Sequence, residues 1–312
     1  MEIDQELITQ VKKYWSNNRF GKHKDVIAQH AIILNSTLKV DASDLFEQIY
    51  NNKFEVKAFP LVAWSSFLTK AKLAEYLDPT YVNLALDVTT GRPALGKGEF
   101  LLVSCFGNLA FEQNAGDLIT LDTHEKIELK GMRSTLSGDK QIYKTMNSGV
   151  MTSIFSSFPQ KQDTDIHDRF SREDGQKLDT MLRALTVQKN NSEKVNAILK
   201  NTFKHLQNIS NEDNKLAEAA TNYYLHSSDK DIFLVTGAMH LCTYMTVEHA
   251  DYLIVTNNDG FCCYANPAKG VSSVSGITEQ HIANAVAIFN NNTLSLKLST
   301  WQTRTKGMEI SI

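Results

Sequence analysis

Cysteine is scarce in this chain. Cys105, Cys242, Cys262 and Cys263 are the only four in 312 residues; none has C-x-x-C spacing and two are adjacent, which argues against a disulfide framework and against a zinc site. They read as small buried residues in a reducing compartment. Long hydrophobic runs are also missing: no stretch approaches the roughly 20 apolar residues that cross a bilayer, and the opening MEIDQELITQVKK lacks the apolar core of a signal peptide. The expectation is a soluble cytoplasmic protein with no membrane partner. An excess of one charge is absent as well. With 35 acidic and 32 basic residues, a net charge of −3 and a pI near 6.3, the chain is not one that coats nucleic acid by bulk electrostatics, although a local basic groove stays open. Internal repeats and low-complexity tracts are lacking too. What remains, 42% hydrophobic and 21% charged, is the composition of an ordinary folded protein. At roughly 100–200 residues per domain, the length fits two domains or one domain with an insertion.

The pattern along the chain divides it into four segments. Residues 1–88 read as an N-terminal helical region: Leu7, Ile8, Val11 and Trp15, then Val26, Ile27, His30, Ile33 and Leu34, recur at helical spacing, and a further helix is expected over 64–77, ended by Asp78-Pro79. Residues 89–160 open with a Gly-rich loop, after which Glu99 begins a buried helix over 99–106. Two short alternating runs, 118–122 and 126–130, have the spacing of a β-hairpin. Residues 161–230 are polar and helical in pattern, with Asn-rich breaks at 188–192 and 208–211. Residues 231–312 read as α/β, with strands expected at 231–236, 252–256, 260–264 and 294–298 and a helix over 238–247.

The hairpin carries the chemistry. Glu128 and Lys130 are two apart on a strand and so share a face. If Leu121 closes on Lys126, Asp117 lies opposite Lys130 and joins them; a shift of two in the pairing keeps that parity and a shift of one breaks it. Carboxylates are hard oxygen ligands for Mg²⁺ or Mn²⁺. An ion held there polarises a phosphate and acidifies an attacking water, and a lysine can position that water or stabilise the charge that develops.

Asp117, Glu128-x-Lys130 and the preceding Gly98-Glu99 together resemble the active-site motif of the PD-(D/E)XK phosphodiesterase superfamily, the restriction-endonuclease-like nucleases. The resemblance spans about residues 96–145. It implies an α/β fold, a restriction-endonuclease-like mixed sheet flanked by helices, here with the N-terminal helical region and a helical insertion. It also implies metal-dependent hydrolysis of DNA. On the residues that match, Asp117 and Glu128 would bind metal with the Leu129 carbonyl as a further ligand, Lys130 would hold the water, and Glu99 would support the metal or the water. Two departures stand out: Gly116 replaces the usual proline before the acidic residue, and only residues 108–111 are available for the first core strand. The fourth core strand is expected at 232–235.

Arg92, Lys97, Arg133, Lys140 and Lys144 bracket the motif in sequence and suit contacts to a DNA backbone, or equally a solvated face. A lone E-x-K carries little information. Asp44, Glu55 and Lys57 repeat the same spacing, but Asp44 opens an amphipathic helix and cannot pair as a strand beside Glu55. His124 reads as an exposed turn residue, His240 as a core or capping histidine, and Tyr223-Tyr224 as helix packing. The same Gly-Glu, Gly-Asp and Glu-x-Lys-Gly sequence also resembles a pattern in tailed-phage proteins. A second reading is therefore a phage virion or assembly protein that uses the fold for structural or DNA-end contacts, in the host cytoplasm or in the particle. A dimeric restriction or defence enzyme is a third.

Overall fold

The computed structural model describes residues 66–69, 79, 82, 98–106, 108–112, 117–132, 134–136, 180–181, 192–207, 214–228, 231–257, 260–290, 294–297 and 302–305. The helices expected before residue 64 fall outside them. So do Arg92, Lys97, Arg133, Lys140 and Lys144. The protein is α/β and forms two compact units, each discontinuous in sequence. The first gathers residues 1–132, 249–265 and 307–312, and the second gathers 133–248 and 266–306.

The first unit holds a six-stranded mixed sheet. Its strands are β1 (Ser66–Thr69), β2 (Leu109–Phe111), β3 (Leu118–Thr120), β4 (Lys126–Gly131), β5 (Tyr252–Asn257) and β6 (Gly260–Ala265), in the spatial order β1-β6-β5-β4-β3-β2. Helix α1 (Glu99–Cys105) precedes β2. Strands β2, β3 and β4 form an antiparallel meander, β5 adds to β4 in parallel, and β6 and β1 extend the sheet antiparallel. A parallel neighbour cannot be reached by a hairpin, and the chain between β4 and β5 is accordingly a long excursion through the helices of the second unit. Both faces of the central strands are buried, with Leu253, Ile254, Val255, Phe261 and Tyr264 fully inaccessible. That is why 252–256 reads as a continuous apolar run rather than an alternating one.

The second unit contains α2 (Ser192–Gln207), α3 (Asn214–His226), α4 (Ile232–Val247) and α5 (Glu279–Asn290), with a two-stranded ribbon of β7 (Leu294–Lys297) and β8 (Gln302–Thr305). The Phe203 and Tyr224 rings meet edge to face at 6.1 Å between α2 and α3, so Tyr224 is a packing residue.

Two expectations are corrected. The fourth strand of the core is not at 232–235, because those residues open α4: the Asp231 carboxylate accepts the Phe233 and Leu234 amides at 2.8 and 3.1 Å and starts a helix. Residues 235–246 of that helix are buried all round, which erases the 3.6-residue period and leaves an apolar run that looks like a strand. The strand that lies parallel to β4 is β5. The helix expected over 64–77 is interrupted by β1, whose conformation comes from pairing with β6, a contact invisible in local spacing. Pro79 and Val82 have helical backbone, and the helix end expected at Asp78-Pro79 lies among residues outside those described.

Candidate functional site

The candidate site is built on β4 and the residue that leads into β3. The turn between them is fixed by its own polar side chains. Thr120 Oγ1 accepts the Glu125 amide at 2.8 Å, Thr123 Oγ1 donates to Glu125 Oε2 at 2.8 Å, and His124 is exposed with φ of 55°. On the other side of β4, the Lys126 amide donates to Asp251 Oδ2 at 2.9 Å and the Lys126 carbonyl accepts the Asp251 amide at 2.8 Å. This double bond sets the register with which β5 joins β4.

The hairpin pairing is shifted by two from a Leu121–Lys126 closure, so that Lys126 faces Ile119 and Leu118 faces Ile127. The Asp117 amide also donates to the Ile127 carbonyl, at 3.0 Å. Two successive residues thus address one partner, which bulges the strand at Asp117 and frees that side chain from simple alternation. Its carboxylate turns along the edge of β4, where Oδ2 accepts the Leu129 amide at 2.7 Å. Asp117 therefore meets Leu129, not Lys130. Within an extended strand the N–H and C=O of a residue point the same way, so the Leu129 carbonyl faces the same side as the amide that Asp117 holds.

Glu128 and Lys130 flank Leu129. Glu128 is only 5% exposed, and its Oε1 pairs with the Lys130 Nζ at 2.5 Å. The lysine side chain is 26% exposed, the glutamate side chain 7%. The result is a corner in which one residue, Leu129, carries a carboxylate on its amide and has a carboxylate and an ammonium as its chain neighbours.

Glu99 is buried in the first turn of α1. The approach to it is tight. Gly98 has φ of +89°, and a Cβ there would stand 2.5 Å from the Phe261 ring and 3.1 Å from the Thr256 hydroxyl. Thr256 and Phe261 are paired and share a face; Lys130 pairs with Val255 and so lies on the other. Helix α1 thus begins against the face that Glu128 and Lys130 turn away from.

The chemistry of the donor set suits a hard cation. Mg²⁺ takes one or two carboxylates and keeps several waters, and the corner offers Asp117, Glu128 and the Leu129 carbonyl. Among the described residues no group of three or more His, Cys, Asp or Glu side chains stands together as a cage.

The other singled-out residues are structural. His240 is buried in α4 with its Nε2 2.8 Å from the Leu136 carbonyl, and desolvation holds it down at about 3. Cys242, Cys262 and Cys263 are buried thiols, and burial pushes Cys262 up to about 11. Neither thiol chemistry nor proton transfer near neutral pH is served by such groups. The Asp117–Leu129 contact was not visible from sequence, because it depends on the bulge. The nearest signal was Gly116, a residue that permits irregular backbone just before a strand. No helix among the described residues is long and apolar enough to cross a membrane. No family model, curated protein or solved structure matches the chain.

Proposed function

We propose that the chain is a metal-dependent nuclease that hydrolyses DNA phosphodiester bonds, on a sheet of restriction-endonuclease-like type. The observation that carries this reading is the convergence on Leu129: Asp117 on its amide, Glu128 and Lys130 on either side of it. The order of elements supports it, since α1 and the antiparallel meander β2–β4 are followed, after the inserted helices α2 and α3, by the buried helix α4 and by β5, which lies parallel to β4.

In this reading Asp117, Glu128 and the Leu129 carbonyl hold Mg²⁺ or Mn²⁺, which supplies polarisation of the phosphate and an acidified water. The Leu129 amide fixes one oxygen of Asp117, so that ligand is oriented before any ion arrives. Lys130 brings an ammonium to the negative charge that develops on the phosphate oxygens or to the attacking water. Glu99 has no assigned part.

The test is cleavage of supercoiled plasmid by the purified full chain with Mg²⁺ or Mn²⁺, beside EDTA and the Glu128→Ala/Lys130→Ala double variant. Nicking that needs metal and falls roughly a thousandfold or more in the folded double variant is expected. A second reading, a phage virion or assembly protein with little turnover, is favoured by one observation: Glu128 and Lys130 are engaged with each other. An intact fold with no nicking, together with stable incorporation into a particle or high-order oligomer, is its signature.

A further inference from the structure

We propose that the Glu128–Lys130 ion pair is a lock on the cation site, so that Glu128 can ligate a divalent cation only as Lys130 lets go of it. The inference rests on the proposed function and concerns how that site is regulated. Its basis is the 2.5 Å contact between the Lys130 ammonium and Glu128 Oε1, with the glutamate side chain 7% exposed.

A carboxylate so far removed from water needs a positive partner, because an uncompensated buried charge is strongly destabilising. Lys130 provides that partner from within the chain, two residues away on the same strand. The two sides of the pair are unequal. Glu128 is held at the third position of β4 between Ile127 and Leu129, both buried, whereas Lys130 is a quarter exposed on a flexible four-carbon stem. Lys130 is thus the partner that can move. An ammonium and a divalent ion repel each other strongly at contact distance in a partly desolvated site, so they do not share one carboxylate oxygen. Lys130 released from Glu128 carries its charge to the nearest anion, which for a nucleic acid is a backbone phosphate. The corner then becomes ready for an anionic substrate only when a cation has replaced the lysine on Glu128.

The experiment is Mn²⁺ binding to the metal-stripped full chain, followed by the electron paramagnetic resonance of the free ion and needing no turnover. Lys130→Met removes the competitor and should bind Mn²⁺ roughly tenfold tighter than the native chain, the size expected of a partly buried pair. Lys130→Arg keeps the charge and should stay near native affinity, and Glu128→Gln should lose the site. Lys130→Gln, neutral but able to hydrogen-bond Glu128, serves if the methionine variant does not fold, and tighter binding is again expected. Equal or weaker Mn²⁺ binding in the neutral variants, with binding still dependent on Glu128, overturns the lock and leaves the proposed function standing. Absence of any Glu128-dependent binding overturns both.

Discussion

Strand β4 and helix α4 both bury polar side chains, and they satisfy them in opposite ways. In α4 the buried groups are neutral, and Thr236, Thr243 and His240 are each answered by a backbone carbonyl. Thr236 donates to the Ile232 carbonyl at 2.7 Å, Thr243 to the Met239 carbonyl at 2.8 Å, and His240 meets the Leu136 carbonyl. In β4 the groups are charged and are answered by one another, Glu128 by Lys130, while Asp117 reaches across twelve residues of chain to the Leu129 amide. Neutral groups tied to local carbonyls make a helix compatible with a core. Charged groups held together on an interior strand cost desolvation that local folding does not require. Polar burial alone therefore does not mark a site, and the paired charge within β4 is what sets the candidate site apart. If this contrast is right, changes in α4 act on stability and changes in β4 act on chemistry.

The largest effect should come from α4. His240 has its folded-state value lowered from 6.5 to about 3 by desolvation, the Leu136 carbonyl pulling the other way. The unfolded chain takes up a proton below 6.5 and the folded chain does not until about 3, so the contribution is fully present above pH 6.5 and is lost as pH falls toward 3. The full loss is of order 5 kcal/mol. His240→Gln does not titrate and can still donate to Leu136. Urea unfolding at pH 7 and pH 4 should show a clearly smaller acid loss in this variant than in the native chain. An unchanged difference between the two pH values means that other groups carry the acid limb and that His240 is not a structural weak point of the helix.

A smaller effect is expected where the sheet makes a purely steric demand. Gly98 is at φ +89° and its missing Cβ faces the fully buried Phe261 ring, which has no free direction in which to move. Gly98→Ala should destabilise the chain by roughly 2 kcal/mol through backbone strain and overpacking. Because Gly98 sits on the face away from Lys130, Mn²⁺ affinity should not change. A variant that loses cation binding while keeping its stability reverses the division between the faces of the sheet.

How much of this was legible in the sequence depended on the range of the contact that decides each element. The β3–β4 hairpin is set by residues within fifteen positions of each other, and both strands were readable, as were α1 and the same-face relation of Glu128 and Lys130. The exact closure was not, since Thr120, Thr123 and Glu125 make a turn whose bonds no alternation rule encodes. β1 was hidden because its only reason to be a strand is β6, about two hundred residues later. The start of α4 was misread for the opposite reason: the local signal, Asp231 as a cap, was present but was outweighed by four apolar residues in a row. At the candidate site, the shared face of Glu128 and Lys130 was legible and the meeting of Asp117 with Leu129 was not, because a bulge breaks the parity on which side-chain direction is read.

That meeting gives the finest test of the comparison. The Asp117 carboxylate does two things at once in the proposed function: it answers the Leu129 amide, which is a structural bond, and it carries negative charge toward a cation. Asparagine separates them. In Asp117→Asn a carbonyl oxygen can still accept the Leu129 amide, so stability should stay within a few tenths of a kcal/mol of the native value. Asp117→Ala leaves that amide without its acceptor and should cost about 1 kcal/mol. Both variants lack the charge, so both should lose Mn²⁺ affinity to a similar degree. Denaturant unfolding and Mn²⁺ titration of the pair therefore give two independent numbers. If Asn and Ala are equally destabilised, the Leu129 bond contributes little and the bulge is held by the Ile127 carbonyl instead. If Asn keeps native Mn²⁺ affinity, Asp117 serves the strand alone, and the charged corner reduces to Glu128 and Lys130.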